Sequence, residues 1–418
     1  MSGEVDYDPT GPDTLADPFP KYAQLRARCP VHHHGDFTPP FFTLTRRDDV
    51  LEALRDVERF SMRYGPSPQY TRPSGLVSDP PEHTEFRRLF VRGFTPRTVS
   101  GLEDEITELA TGLLDGMAPL GSGDFHALYA YPLPMTVIAR LVGVPESDLA
   151  VFKRLCDDLT ATYNLPDPGA SGAARAAIDA YLQQHLDERR ARLAAAGVAD
   201  AEAGGDESLL GTVLPNDLIS GFVVAEVDGR RLTDHEIRWM LLLLLLGGVE
   251  TSTALHTNLL WRLLDDRSRW ERLLDDLADG DGSLLDVAIE ESLRHDPPVL
   301  GLFRTTTHDV TLHGVTMPAK AKVMVCYASA NHDESAWRDP ETFSLDRSPE
   351  ELAKHLAFGF GHHFCPGAAL ARTEARISLR LLLERFPRLR LDLAPGERPP
   401  RIAAFNLWGR AALPLRWD

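Results

Sequence analysis

Cys365 stands in Phe358-Gly359-Phe360-Gly361-His362-His363-Phe364-Cys365-Pro366-Gly367, directly ahead of Ala368-Ala369-Leu370-Ala371-Arg372, which reads as the start of a helix. A thiolate at a helix N-terminus is stabilised by free backbone N–H groups and by the helix dipole. Glycines let the backbone approach a flat or bulky partner closely. Those are the requirements of a thiolate that holds a metal through one bond. No second cysteine is near, which excludes a four-cysteine zinc or iron–sulfur site locally. A haem iron with one thiolate ligand fits the pattern, and so does a structural thiol buried in a Gly-rich turn.

A second stretch, Asp234 to Trp261, is apolar on all sides from Met240 to Leu246 and then meets Gly247-Gly248-Val249-Glu250-Thr251-Ser252. Two adjacent glycines inside a helix cost ~2 kcal/mol relative to alanine, so something must offset them. Close approach of a partner is one answer, and Thr251 can bond back to the Gly247 carbonyl. A buried acid beside a buried alcohol makes a proton relay; the same text also suits a packed core helix with a satisfied Glu. Glu291 and Arg294 lie one turn apart and face the same way, ahead of the helix-ending His295-Asp296-Pro297-Pro298. After Asp79-Pro80-Pro81, His83 and Arg87 share a helix face and can hold carboxylates, or form an ordinary solvated face.

The elements that must position these groups read as mostly helical. Residues 1–14 read as a loose N-terminal arm. Short helices are expected at Lys21–Arg28 and Arg47–Asp56, and strands at Val31–His33 and Phe41–Leu44. Residues 61–80, rich in Pro, Ser, Gly and Tyr, read as a long loop of the kind that carries function. Helical spacing of apolar residues runs through Glu103–Met117, Met135–Leu141, Asp148–Leu159 and Ala173–Ala195. Breaks fall at Asn164–Gly172 and at Ala194–Ser208, the latter expected as an exposed turn. Thr233 with Glu236 three residues on reads as a capping box. Short strands are expected within Val310–Val325, Leu389–Leu393 and Leu413–Trp417, around a last helix at Ala368–Arg385. Without regular βαβ alternation the chain reads as mainly α with minor β, one large α+β domain over residues 15–418.

Composition narrows the function classes. Among 418 residues, 44 Lys and Arg stand against 62 Asp and Glu, a formal charge of −18. That sign argues against nucleic acid or an anionic membrane as partner. The longest apolar run, Trp239–Val249, is shorter than the ~18 residues of a span, and the acidic, Pro-rich first twenty residues do not read as a signal peptide. A soluble, cytoplasmic protein is expected. Cys29, Cys156, Cys326 and Cys365 form no CxxC pair, so no disulfide scaffold is suggested. The run His32-His33-His34 reads as a surface strand, though it could take a metal adventitiously.

The four constellations, in this order, resemble those of a bacterial cytochrome P-450, a haem-thiolate monooxygenase with a triangular-prism fold. The Cys365 loop matches the family's Phe-Gly-x-Gly-x-His-x-Cys-x-Gly signature at every fixed position. Glu250-Thr251 matches its acid–alcohol pair, and Glu291-x-x-Arg294 its Glu-x-x-Arg helix. The stretches Ala330-Asn331-His332-Asp333, Trp337 to Phe343 and Asp346-Arg347 match the meander before the haem loop. The resemblance covers roughly residues 15–417. Gly247 stands where the family often has Ala, which keeps the groove open.

The resemblance implies haem b as cofactor, with Cys365 as the metal ligand. His83, Arg87, Arg304 and His363 would hold the haem propionates. Thr251 and Glu250 would be the catalytic proton relay, and Glu291, Arg294 and Arg347 a structural charge network. The implied reaction inserts one atom of O2 into a hydrophobic small molecule such as a terpenoid, steroid, polyketide or aromatic. The chain carries no flavin or iron–sulfur motif, so electrons are expected from a ferredoxin and its reductase, docking near Arg88, Arg92, Arg372 and Arg376. A monomer is expected. Expected pocket walls are Tyr64–Leu76, Leu159–Pro168, Leu244–Gly248, Val299–Leu302 and Phe405–Trp408. Two other readings, a peroxide-driven peroxygenase and a non-catalytic haem sensor, are disfavoured respectively by Glu250-Thr251 and by the lack of a spare output domain.

Overall fold

A computed structural model describes residues 5–71, 75–163, 168–199 and 202–417 of the chain. Its axis is the helix Asp234–Leu264, hereafter the central helix. It starts as the sequence predicts. The Thr233 side chain accepts from the Glu236 N–H, and the Glu236 carboxylate accepts from the Thr233 N–H at 2.8 Å. Helices Pro132–Val142, Leu284–His295 and Ala368–Arg385 pack against it, and Glu103–Met117 packs on the last of them. The central helix is long and apolar enough to cross a membrane, but 67% of its apolar window is buried inside the molecule.

The two glycines of the central helix turn out to do different things. A Cβ on Gly248 would meet Ile138 Cδ1 at 2.8 Å, so Gly248 is what lets Pro132–Val142 pack so closely. A Cβ on Gly247 would touch nothing within 4 Å. One glycine buys helix packing and the other leaves room.

A five-stranded sheet flanks the helices in the order Val31–His34, Phe41–Leu44, Lys322–Val325, Leu302–Thr306, Phe60–Ser61. Only the pairing of Phe41–Leu44 with Lys322–Val325 is parallel. Arg304 sits opposite Val323 in this sheet and is 2% exposed. A three-stranded sheet joins Arg390–Leu391, Pro414–Arg416 and Ser122–Asp124. The mainly helical fold with minor strand is the expected one.

Some local expectations change. The arm is not loose from residue 5 onward. Val5 and Tyr7 are buried, the Tyr7 ring meets Tyr22 and His34 edge-on, and Pro12–Ala16 is helical. Its few large apolar side chains find a niche beside Phe19 and Leu25. The tract after Ala195 is mostly exposed, as expected, but anchored: Ala203 is fully buried and the Gly205 N–H bonds the Val224 carbonyl. His34 is buried against Thr43 at 2.8 Å, but the strand lies at the edge of its sheet and His33, stacked on Phe42, is exposed, so the histidine run is the surface strand expected. Among the described residues no cluster of three metal-ligating groups occurs. Of the expected break at 164–172, residues 164–167 lie outside the described ones.

Candidate active site

Two positive-φ glycines, Gly359 (φ 71°) and Gly361 (φ 74°), shape the loop that carries Cys365. L side chains rarely adopt that conformation. A Cβ at Gly361 would also sit 3.1 Å from the Leu54 carbonyl oxygen. The Cys365 N–H is tied to the Phe358 carbonyl at 2.9 Å. Burial pushes the thiol up, while the Gly367 and Ala368 N–H groups and the charges of Arg87 and Arg372 pull it down. A coordinated iron would tip that balance to the thiolate, because a metal-bound thiol loses its proton outright.

Cys365, Phe358 and Gly367 line one side of a cavity of about 290 Å³. Leu243, Leu244, Phe90, Phe94, Ile138 and Val299 line it elsewhere, and none of them carries a charge. Thr251 faces the cavity one helical turn from Gly247, and its hydroxyl donates to the Gly247 carbonyl at 2.5 Å. Glu250, next along the helix, is half-buried. Burial and the negative charge of Asp157 raise its pKa.

Four basic groups converge at the cavity's edge. His83 comes from the helix Glu82–Arg92, Arg87 from one turn later, Arg304 from the sheet, and His363 from the Cys365 loop. The His83 and His363 ring centroids are 4.3 Å apart. Both His83 nitrogens, His363 Nε2 and Arg304 Nε are buried without a partner. The nearest acid, Asp79, is already engaged by the Ser61 hydroxyl at 2.5 Å and the Met62 N–H at 2.8 Å. Burial and the neighbouring charges of Arg87 and His362 hold His83 down to about 4. Burying donors without acceptors costs ~1–3 kcal/mol each. Two carboxylates brought in by a ligand would satisfy all four groups, so this cradle fits the two propionates of haem.

The expected charge network is present and fully enclosed. Arg294 makes a two-pronged pair with Glu291 at 2.7 and 2.8 Å and also reaches the Asn331, Pro340 and Thr342 carbonyls. Arg347 Nε meets Glu291 at 3.2 Å. Three walls were expected correctly in part: Pro66 and Leu76, Leu244, Gly247 and Gly248, and Val299 and Leu302 line the cavity. Phe405 instead packs on Phe37 and Phe303, and Trp408 lines a separate cavity. Phe90, Phe94 and Ile138 went unnoticed. For Phe90 the signal was the apolar face of Glu82–Arg92 beside the two donors; Ile138, on another helix, had none.

Glu374 was missed as well. It lies on the helix Ala368–Arg385 with both carboxyl oxygens buried, and burial raises it to about 8 although the Ser252 hydroxyl pulls it down. Nearby, His256 Nε2 and the Tyr129 hydroxyl meet the Ser378 hydroxyl at 3.1 and 2.9 Å. Its four-residue spacing from Leu370 and Ser378, on the apolar face of that helix, was the available clue.

Of the expected docking arginines, Arg88 pairs with Glu85, Arg372 with Glu290 and Arg376 with Asp286. The Arg92 side chain lies outside what the structure describes.

Comparison with known proteins places this geometry. Residues 165–414 match the family model described as Cytochrome P-450. The chain is 37% identical to Cytochrome P-450 monooxygenase PikC of Streptomyces venezuelae, over 99% of this chain and 94% of that one. It is also 37% identical to the Steroid C26-monooxygenase of Mycolicibacterium smegmatis, over 91% and 88%. A solved structure, CYP109E1 from Bacillus megaterium in complex with testosterone, superposes with a TM-score of 0.79 at 31% identity, covering 96% of this chain and 99% of that one.

Proposed function

The chain belongs to the cytochrome P-450 family, and from that premise we propose a ferredoxin-driven enzyme that oxygenates a neutral, hydrophobic small molecule of the steroid, terpenoid or polyketide kind. The coarser part is established: it is a cytochrome P-450 monooxygenase, a haem-iron oxidoreductase. Residues 15–418 act as one catalytic domain, and the protein works as a cytoplasmic monomer.

The observation that carries the reading is the pairing of a largely apolar cavity with Cys365 at one side and four basic groups at its edge, of which His83, His363 and Arg304 hold buried nitrogens without a partner. Cys365 would be the iron's only protein ligand. His83, Arg87, Arg304 and His363 would hold the propionates through charge-assisted bonds. When bound, haem b supplies the oxygen chemistry: one atom of O2 enters the substrate and the other leaves as water, with two electrons and two protons taken up. The apolar walls exclude water and bind the substrate by its hydrophobic surface. Thr251 holds a proton at Oγ1 on the open side of the helix, and Glu250 renews it. Retention of that acid–alcohol pair supports dioxygen rather than peroxide as the oxidant.

Steroid-sized neutral substrates are favoured because the substrate side of the cavity offers no partner for a charge. One relative is named for a steroid and one solved neighbour holds testosterone. The test is the carbon monoxide spectrum of the reduced protein, then a substrate panel scored by spin-state shift. A thiolate-type spectrum lost in Cys365→Ala, and shifts with neutral steroids but not with amphiphilic amines, are expected. A thiolate spectrum that survives Cys365→Ala overturns the ligand assignment.

A further inference from the structure

A second cavity, of about 630 Å³, lies away from Cys365. It opens between the N-terminal residues 15–20, the end of the central helix and the loop 398–410. Two arginines line it in an unusual state. Arg410 is 4% exposed, yet its Nε is buried without an acceptor. Its faces are covered, by Trp261 at 5.0 Å and Trp408 at 5.8 Å. Indole rings stabilise a cation over their faces, but the N–H groups at the guanidinium edge still need acceptors. Arg401 stacks on Trp408, and its one protein acceptor is the Ala16 carbonyl at 3.2 Å. The Nε of each is enclosed and partnerless.

The acids around the cavity, Asp17 excepted, are otherwise occupied. Asp296 takes Arg262 at 2.5 and 3.0 Å, His295 at 2.9 Å and the Trp408 indole N–H at 2.8 Å. Asp265 is shared by Arg262 and Arg269. Glu341 holds His332 at 3.0 Å, and Asp17 accepts the Phe19 N–H at 3.3 Å. Burial pulls Arg410 down to about 10 and Arg401 to about 8; neighbouring arginines add to this and the charge of Asp296 offsets only part of it. A guanidinium does not lose its proton in a protein, so the shortfall is one of compensating charge. An arginine fork matches a planar oxyanion. Leu15, Phe19 and Ile402 supply apolar wall beyond it.

We propose that this cavity binds a small organic carboxylate with an apolar body, its oxyanion held by Arg410 and Arg401 and its body lying against Phe19 and Ile402. The site is separate from the haem cavity and does not depend on the substrate assigned above.

The test uses the haem-loaded protein with its haem cavity blocked by a saturating iron-ligating azole. Octanoate and benzoate are titrated by calorimetry, with octanamide and inorganic phosphate as controls. Saturable one-to-one octanoate binding, at least tenfold weaker in Arg410→Gln and in Arg401→Gln, is expected, with no octanamide binding. Both variants should keep the thiolate carbon monoxide spectrum. Arg401 is on a surface loop, so its variant reports on the site even if Arg410→Gln folds poorly. No saturable binding, or binding that both variants leave unchanged, overturns the proposal. Phosphate binding as tightly as octanoate overturns the assignment to an apolar carboxylate.

Discussion

A carboxyl group walled between two helices is cheaper to keep protonated than to ionise, and Glu374 is in that position. Its folded pKa, about 8, exceeds the ~4.3 of an unfolded Glu. Protons are therefore bound by the folded state and not by the unfolded one between those values. The linked stability is complete below about pH 4 and is lost as pH rises towards 8, at ~1.4 kcal/mol per pH unit. The neutral variant Glu374→Gln removes this dependence. Its urea midpoint relative to the parent should rise by an amount equivalent to a few kcal/mol between pH 5 and pH 7.5; a difference constant with pH would show that Glu374 is ionised at both. At the cavity itself, Thr251→Ala should leave haem content and substrate affinity intact. Product per electron should fall ~10²-fold or less, since a general acid contributes ~10²–10⁴ and water substitutes in part. Peroxide release measured against electron consumption checks this, and full coupling in the variant would make Thr251 structural.

On the scale of elements, the central helix separates two roles that the adjacent letters Gly247-Gly248 do not distinguish. Gly248→Ala drives a methyl into Ile138 at 2.8 Å, and overpacking of that kind costs ~1–3 kcal/mol. Gly247→Ala meets nothing and should gain up to ~1 kcal/mol of helix propensity. Thermal or urea midpoints of the two variants should therefore move in opposite directions, and Ile138→Val should relieve only the first. Equal destabilisation would mean that the helix needs both glycines for its backbone. This asymmetry explains what was legible beforehand. The Cys365 loop, the capping box at Thr233 and the Glu291–Arg294 turn are encoded within a few residues, so spacing alone reveals them. Arg304 gains its meaning only when the sheet brings it beside His83, and Ile138 only when its helix crosses Gly248. Contacts between distant segments leave no local period. The loop 398–410 was misjudged for the same reason: it folds over Asp296, bonds Trp408 to it and turns away from the Cys365 cavity.

For the whole molecule, the ferredoxin proposed above raises the question of how a chain of charge −18 would take electrons from an acidic partner. At physiological salt a charge is screened beyond ~8 Å, so the docking face counts and the remote acids do not. On the helices flanking Cys365, Arg88 and Arg376 have side chains 61% and 57% exposed. Each is paired, with Glu85 and Asp286 respectively. Surface pairs of this sort are worth ~0–1 kcal/mol, so an approaching carboxylate can take either arginine from its partner at little cost. Arg372 is held more firmly, by two bonds to Glu290 that also holds His355, and is a poorer handle. Reversing the exposed pair, Arg88→Glu with Arg376→Glu, should slow reduction by ferredoxin at least tenfold at low salt while substrate-induced spin-state shifts stay unchanged. Raising the salt should slow the parent and narrow its gap to the variant, because the same screening removes both the attraction and the introduced repulsion. Stopped-flow reduction under carbon monoxide measures both. Rates that ignore salt and charge reversal alike would move the docking contact from these arginines to the exposed aromatic pair Phe360 and Phe364 on the same face, where contact is apolar and insensitive to ionic strength.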